Sequence, residues 1–223
     1  MTSHAPTLLV DLDGTLIDSA PGILASVQAA LRALGHAAPT TFDVASLIGP
    51  PIEDGMRALL APLGDSRIAD GVEAYRAAYR ETGVLNGRLY PGVTDALARL
   101  RQDGAQLLLA TSKRLEFAER ILDHFHVREL FDGVFDAAPG GALDHKAALI
   151  AHVINVRALT PSRCVMIGDR RYDVAGAKAN HIASLGVLWG YGDRAELDAA
   201  GADAVIARPE DLVAAALALV GGA

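Results

Sequence analysis

A single cysteine, Cys164, occurs in 223 residues, so no intramolecular disulfide can form. It lies in the apolar run Cys164-Val165-Met166-Ile167 and reads as a small buried hydrophobe. No apolar run reaches the roughly 20 residues that a membrane-spanning helix needs, and Met1 to Pro6 is short and polar, unlike a leader. A cytoplasmic location away from membranes is expected. Positive charge is scarce: 20 Lys and Arg face 27 Asp and Glu, for a net charge of −7. Without a basic stripe to displace counterions, a nucleic-acid polymer is not an expected partner. Lysine is rarer still, at positions 113, 146 and 178 only, so each one invites a reason. The seven histidines are scattered, and neither a Ser-His-Asp nor a Cys-His pattern is legible. His124 and His126 suit a helix C-terminus; His145, beside Lys146, is the one histidine placed near other candidate chemistry.

What is present is apolar and alternating. The chain is 51% hydrophobic, which suits strands buried on both faces. Thr7 to Val10, Gln106 to Ala110 and Arg163 to Ile167 are short apolar runs, each ending at polar or acidic residues. Weaker runs occur at Gly133 to Phe135, Ser184 to Leu188 and Ala204 to Ile206. Helical periodicity separates them at Val93 to Arg101, Leu115 to Phe125, Lys146 to Val156, Val174 to Asn180 and Pro209 to Val220. Strands alternating with helices imply βαβ units around a parallel sheet. Three amphipathic segments break the alternation: Ile23 to Leu34, Ile52 to Leu60 and Ile68 to Tyr79. They predict a helical insertion over residues 18–88, with the α/β core formed by 1–17 and 89–223.

Two acidic pairs carry the chemistry. Asp11 and Asp13 stand two residues apart at the end of the first strand, so a period of two turns both to one side. Gly14 permits a sharp departure after them. Asp169 follows Gly168 at another strand tip, and Asp173 falls in the first turn of the next helix, where an acid also suits the helix dipole. Such carboxylates repel unless cations sit among them. Hard oxygen ligands on strand ends suit Mg²⁺. Thr111-Ser112-Lys113 joins a strand to a helix, where hydroxyls and N–H groups make an anion site or simply cap the helix. Lys146 opens a helix against the dipole, an unfavourable place unless its ammonium is needed elsewhere.

In this order, these residues resemble the haloacid dehalogenase superfamily. Asp11-Leu12-Asp13-Gly14-Thr15 is similar to its first motif, Thr111 to its second, Lys146 to its third, and Gly168-Asp169-x-x-x-Asp173 to its fourth. The subgroup most resembled is the phosphoglycolate-phosphatase-like one, with residues 18–88 as its small helical cap and Ile48-Gly49-Pro50-Pro51-Ile52 as the cap loop near the site. The resemblance implies a Rossmann-like α/β core and a phosphatase. It implies Asp11 as nucleophile and Asp13 as general acid and base. Thr111, Ser112 and Lys146 would bind phosphate, and Mg²⁺ would be held by Asp11, Asp13 (through its carbonyl), Asp169 and Asp173. Gly49, Pro50, Arg57 and Tyr79 are the candidate cap residues. Three positions depart from the pattern: Ser112 stands where many relatives carry Asn, Ala147 replaces a Pro after Lys146, and Arg170-Arg171 makes the fourth motif unusually basic.

Asp13 argues against a metal-free dehalogenase, and the absence of Lys before position 113 argues against a Schiff-base phosphonate cleaver. A sugar phosphomutase has no specific support. The expected substrate is a small phosphorylated metabolite, and the expected state a monomer or homodimer. A phosphoglycolate-like compound is favoured, its carboxylate meeting Arg57, Arg76, Arg80 or Arg88. The alternative is a nucleoside monophosphate stacked on Tyr75, Tyr79 or Phe42, although those tyrosines also suit helix packing. A catalytically silent interaction module is the reading of another class.

Overall fold

In the computed structural model, residues 5–38, 44–136, 143 and 145–221 are described; Phe42 lies outside them. The apolar runs form a six-stranded parallel sheet of β1 (Thr7–Val10), β4 (Gln106–Thr111), β5 (Gly133–Asp136), β6 (Cys164–Gly168), β7 (Ala183–Val187) and β8 (Ala204–Ile206). Their order is β5-β4-β1-β6-β7-β8. β1 is central, with Val10 level with Leu109 on one side and Ile167 on the other.

The pleat sorts the side chains onto two faces. Leu8, Val10, Leu107, Leu109, Val165 and Ile167 join one buried cluster, which includes residues of α4 (Val93–Gln102), α5 (Leu115–His124) and α9 (Leu212–Gly221). Leu9, Leu108, Ala110, Cys164 and Met166 face the other way, against Leu149, Ile150, Val153 and Ala177 of α6 (Lys146–Arg157) and α7 (Arg171–Ala179). Both faces are covered, which is why the strands read as near-continuous apolar runs. Cys164 is buried, as its neighbours predict.

Between β1 and β4 the chain leaves through β2 (Ile17–Asp18), forms α1 (Ala20–Ala33), α2 (Ile52–Leu60) and α3 (Ile68–Glu81), and returns through β3 (Arg88–Leu89). β2 and β3 pair antiparallel, Ile17 with Leu89 and Asp18 with Arg88. Two residues are too few for alternation to register, so this pair was invisible in the sequence. The three helices bury Ile23, Val27, Met56, Leu60, Val72, Tyr75 and Tyr79.

One helix among the described residues, α8 (Arg194–Ala200), is not predicted by the sequence. It buries only Leu197, too little for a period. Its signal was the cap: Asp193 accepts a hydrogen bond from the Glu196 N–H. No described helix is long and apolar enough to cross a membrane.

Candidate active site

Asp11, Thr111 and Asp169 follow or end three adjacent strands, β1, β4 and β6, at their carboxyl ends, where open α/β sheets place their sites. The Asp11 N–H donates to the Ile167 carbonyl (3.0 Å), extending the β1–β6 ladder by one step and holding Asp11 beside the tip of β6. Gly14 turns away at φ +85°, and a Cβ there would lie 2.1 Å from Asp169 Oδ2. Only glycine admits the second acidic strand end so close.

Asp11, Asp169 and Asp173 are buried, with one oxygen from each lying within 4.8 Å of the others. Lys146 reaches back from the first turn of α6 and donates to Asp11 Oδ1 (2.7 Å) and the Ala110 carbonyl (2.9 Å). Its Nζ also stands 2.9 Å from Asp173 Oδ1, off the hydrogen-bonding direction, so that buried oxygen has no donor among the described residues. The ammonium therefore does not sit against its own helix dipole; burial opposes its charge, but the two carboxylates outweigh that and raise its pKa. The Asp11 carboxyl is pushed up to about 7, chiefly by burial and despite Lys146, with Asp173 and Asp13 adding to the rise. Burial first, then Asp173 and Asp11, also hold Asp169 well above the carboxylate range. Asp169 accepts from the Tyr191 N–H (2.8 Å) and the Thr15 hydroxyl (3.3 Å). Asp173 also caps α7 by accepting from the Arg170 N–H (3.1 Å), as its place in the first helical turn predicts.

Asp13 is held differently. Its Oδ2 pairs with Lys113 Nζ (3.2 Å), while its buried Oδ1 has no partner among the described residues. Thr111 Oγ1 accepts from the Lys113 N–H (3.1 Å), which leaves the hydroxyl proton free for an incoming oxyanion. Asp11, Asp13, Thr111, Ser112, Lys146, Arg170, Tyr172 and Asp173 line a recess of about 20 Å³ with Gly49 over it. That is room for about one water. Gly49, at φ +107°, packs on the Tyr172 ring, which a Cβ would meet at 2.6 Å.

Outside the recess opens a cleft of about 530 Å³. Leu47, Pro50, Pro51, Ala58 and Leu59 give it apolar walls, and His145, Lys146 and Tyr172 stand at its inner end. Gly49 thus lines both the recess and the cleft, and Pro50 lines the cleft. Arg57 and Tyr79 do not line this cleft. Arg57 is exposed and paired with Asp54 (2.6 Å), and Tyr79 is buried between Tyr75 and Phe117 with its hydroxyl on Lys113 Nζ (2.7 Å). Helix packing is the reading the structure gives both tyrosines.

Two groups went unrecognised in the sequence. Lys113 was marked only by the rarity of lysine. Arg170 was noted as a basic oddity; in fact its guanidinium donates to the Ala45 (2.5 Å) and Ile48 (2.6 Å) carbonyls while Glu196 of α8 holds its Nε (2.9 Å). It ties the loop before Gly49 to the fourth motif.

Residues 8–187 match the family model described as haloacid dehalogenase-like hydrolase. The chain belongs to that family. It is 39% identical over 190 residues to the tyrosine-protein kinase PtkA of Mycobacterium tuberculosis, covering 85% of this chain and 64% of the relative, so the match spans less than two thirds of that protein. It is 37% identical over 196 residues to a 5'-nucleotidase of Pseudomonas aeruginosa, covering 87% of each. Further relatives, from Pseudomonas putida and Aquifex aeolicus, are named phosphoglycolate phosphatase, at 31% and 30% identity. The structure of a predicted phosphatase from Clostridium acetobutylicum superposes with a TM-score of 0.88 at 30% identity, covering 97% of this chain and 100% of that one. The relatives from Pseudomonas putida and Aquifex aeolicus and the Clostridium structure thus carry phosphatase names, whereas the mycobacterial relative is named a kinase.

Proposed function

We propose that the protein is a Mg²⁺-dependent phosphomonoesterase that works through an aspartyl phosphate. The observation that carries this reading is the buried charge balance. Four carboxylates, Asp11, Asp13, Asp169 and Asp173, are clustered with two ammonium groups, Lys113 and Lys146, while the guanidinium of Arg170 is balanced by Glu196. The deficit of two positive charges is what one divalent cation supplies, and the donors are the hard oxygens Mg²⁺ prefers. Asp173 Oδ1, which meets Lys146 Nζ at 2.9 Å as an ion pair without a directed hydrogen bond, fits such an ion. Asp11, Asp169 and Asp173 would hold it, with the Asp13 carbonyl. When bound, it would neutralise charge on the transferring phosphoryl group.

The chain's own groups supply the rest. Lys146 fixes Asp11 Oδ1, leaving the other oxygen to attack phosphorus. As that P–O bond forms, the bond to the leaving oxygen breaks, and Asp13 gives that oxygen its proton. Water then yields a proton to Asp13 and attacks the same phosphorus, releasing phosphate and restoring Asp11. Thr111 and Lys146 steady the phosphoryl oxygens. A phosphoryl group needs more room than the recess has, so the loop carrying Gly49 must lift to admit substrate. Residues 18–88 would move as the cap, with 1–17 and 89–223 as the core.

For the substrate, the cap arginines support one reading over the other. Arg57, Arg76, Arg80 and Arg88 are each engaged by a carboxylate, and none lines the cleft. A phosphoglycolate carboxylate would meet no cap cation among the described residues. Tyr75 and Tyr79 are packed away from the cleft, but a largely apolar cleft of this size with the Tyr172 ring in its lining fits a nucleoside, so a nucleoside monophosphate is the substrate class we favour over phosphoglycolate. The test is initial rates of phosphate release on a panel of both, with Mg²⁺ and with chelator. Magnesium-dependent turnover led by a nucleotide is expected. Turnover led by phosphoglycolate would keep the chemistry and overturn the substrate; metal-independent turnover would overturn both.

A further inference from the structure

We infer that Lys113 is a positioning residue that fixes which oxygen of Asp13 transfers the proton, and that Tyr79 of α3 holds Lys113 in place. This rests on the reading of Asp13 as general acid and base. Three observations carry it. Lys113 Nζ is buried, its side chain 8% exposed, and pairs with only one Asp13 oxygen, Oδ2. The other, Oδ1, has no partner among the described residues beside the recess. The same ammonium donates to the Tyr79 hydroxyl (2.7 Å) and lies 4.4 Å from that ring's centroid. Tyr79 in turn is locked, stacked on Tyr75 and edge-on to Phe117.

A carboxylate can turn about its Cβ–Cγ bond, and a lone Asp13 would present either oxygen. The ammonium removes that freedom by binding one of them. One orientation suffices because the leaving oxygen and the attacking water occupy the same apical place in turn. Oδ1 gives a proton to the first and takes one from the second, while Oδ2 stays on Lys113. Tyr79 belongs to the helical insertion and Lys113 to the loop after β4, so the arrangement is complete only when the insertion lies against the sheet.

Two substrates separate this from a structural or phosphate-binding role. An alkyl phosphate monoester has a leaving oxygen that needs a proton; 2,4-dinitrophenyl phosphate has one that does not. Values of kcat/KM, which report steps up to phosphoenzyme formation, would be measured with Mg²⁺ for the wild type, Asp13→Asn, Lys113→Met and Tyr79→Phe. Lys113→Met should lose on the order of 10²-fold on the alkyl ester and far less on the aryl ester, with Asp13→Asn showing the same selectivity more strongly. Tyr79→Phe, which removes one oxygen and keeps the packing, should show it in weaker form, and carries the test if Lys113→Met does not fold. Equal losses on both esters, or none, in the lysine and tyrosine variants would overturn the inference while a selective Asp13→Asn keeps the proposed function. An Asp13→Asn that spares the alkyl ester would overturn both.

Discussion

Each acidic residue of the site is buried at a cost that another group must offset. Replacing Asp11 with Asn keeps the volume and removes the proposed nucleophile, so turnover should fall by roughly 10⁴-fold or more, measured as steady-state phosphate release. The same variant makes a prediction about stability in metal-free protein. The folded Asp11 carboxyl is raised to about 7 from an ordinary 3.8, so the fold binds its proton more tightly than the unfolded chain does. The penalty is therefore absent below about pH 4, grows across the interval, and is complete above about pH 7. Asp11→Asn should raise Tm at pH 8 in chelator, and the gain should shrink by pH 5; an equal gain at both would refute the burial account. Lys146→Ala has the opposite sign. It leaves Asp11 and Asp173 buried without their ammonium, a loss of roughly 3–5 kcal/mol for a broken buried pair, readable by denaturant unfolding in chelator.

Elements meet at the loop between α1 and α2. Gly49 packs on Tyr172 from α7, and Arg170 bridges the Ala45 and Ile48 carbonyls to Glu196 on α8. Charge-assisted hydrogen bonds of this kind contribute roughly 1.5–3 kcal/mol. Arg170→Met removes them and frees the loop, so limited proteolysis between residues 44 and 51 should accelerate while the sheet stays intact. Gly49→Ala forces a methyl toward Tyr172 at a backbone angle that side chains avoid, and KM should rise more than kcat falls. α8 was missed because one buried leucine makes no period, yet it carries the glutamate that anchors this contact.

For the molecule as a whole, a divalent cation that binds the folded state alone stabilises it by mass action. Thermal scans with rising Mg²⁺ should show a Tm that climbs with concentration in the wild type and responds weakly in Asp169→Asn. A flat response in the wild type would remove the metal from the reading. A net charge of −7 adds to the expectation, because cations are drawn to an acidic protein at low ionic strength.

The sheet was legible because its strands are buried on both faces, which forces apolar runs such as Thr7 to Val10 and Cys164 to Gly168 to end at the carboxylates they present. The acidic pairs, Thr111 and Lys146 were legible for the same reason, since each sits where a strand stops or a helix starts. Periodicity reports which way a side chain faces on its own element; it carries no information about partners 34 residues away, as with Lys113 and Tyr79, or 125 away, as with Arg170 and Ala45. Those contacts, and the pairs Arg76–Glu53, Arg80–Glu116 and Arg88–Asp18, exist only once separate elements pack together, whereas Arg57–Asp54 is a local pair within α2. The sequence thus determined the α/β architecture and the chemistry at the strand ends. Tertiary packing alone decided which of those carboxylate oxygens are held by a partner among the described residues, and which side chains line the cleft beside them.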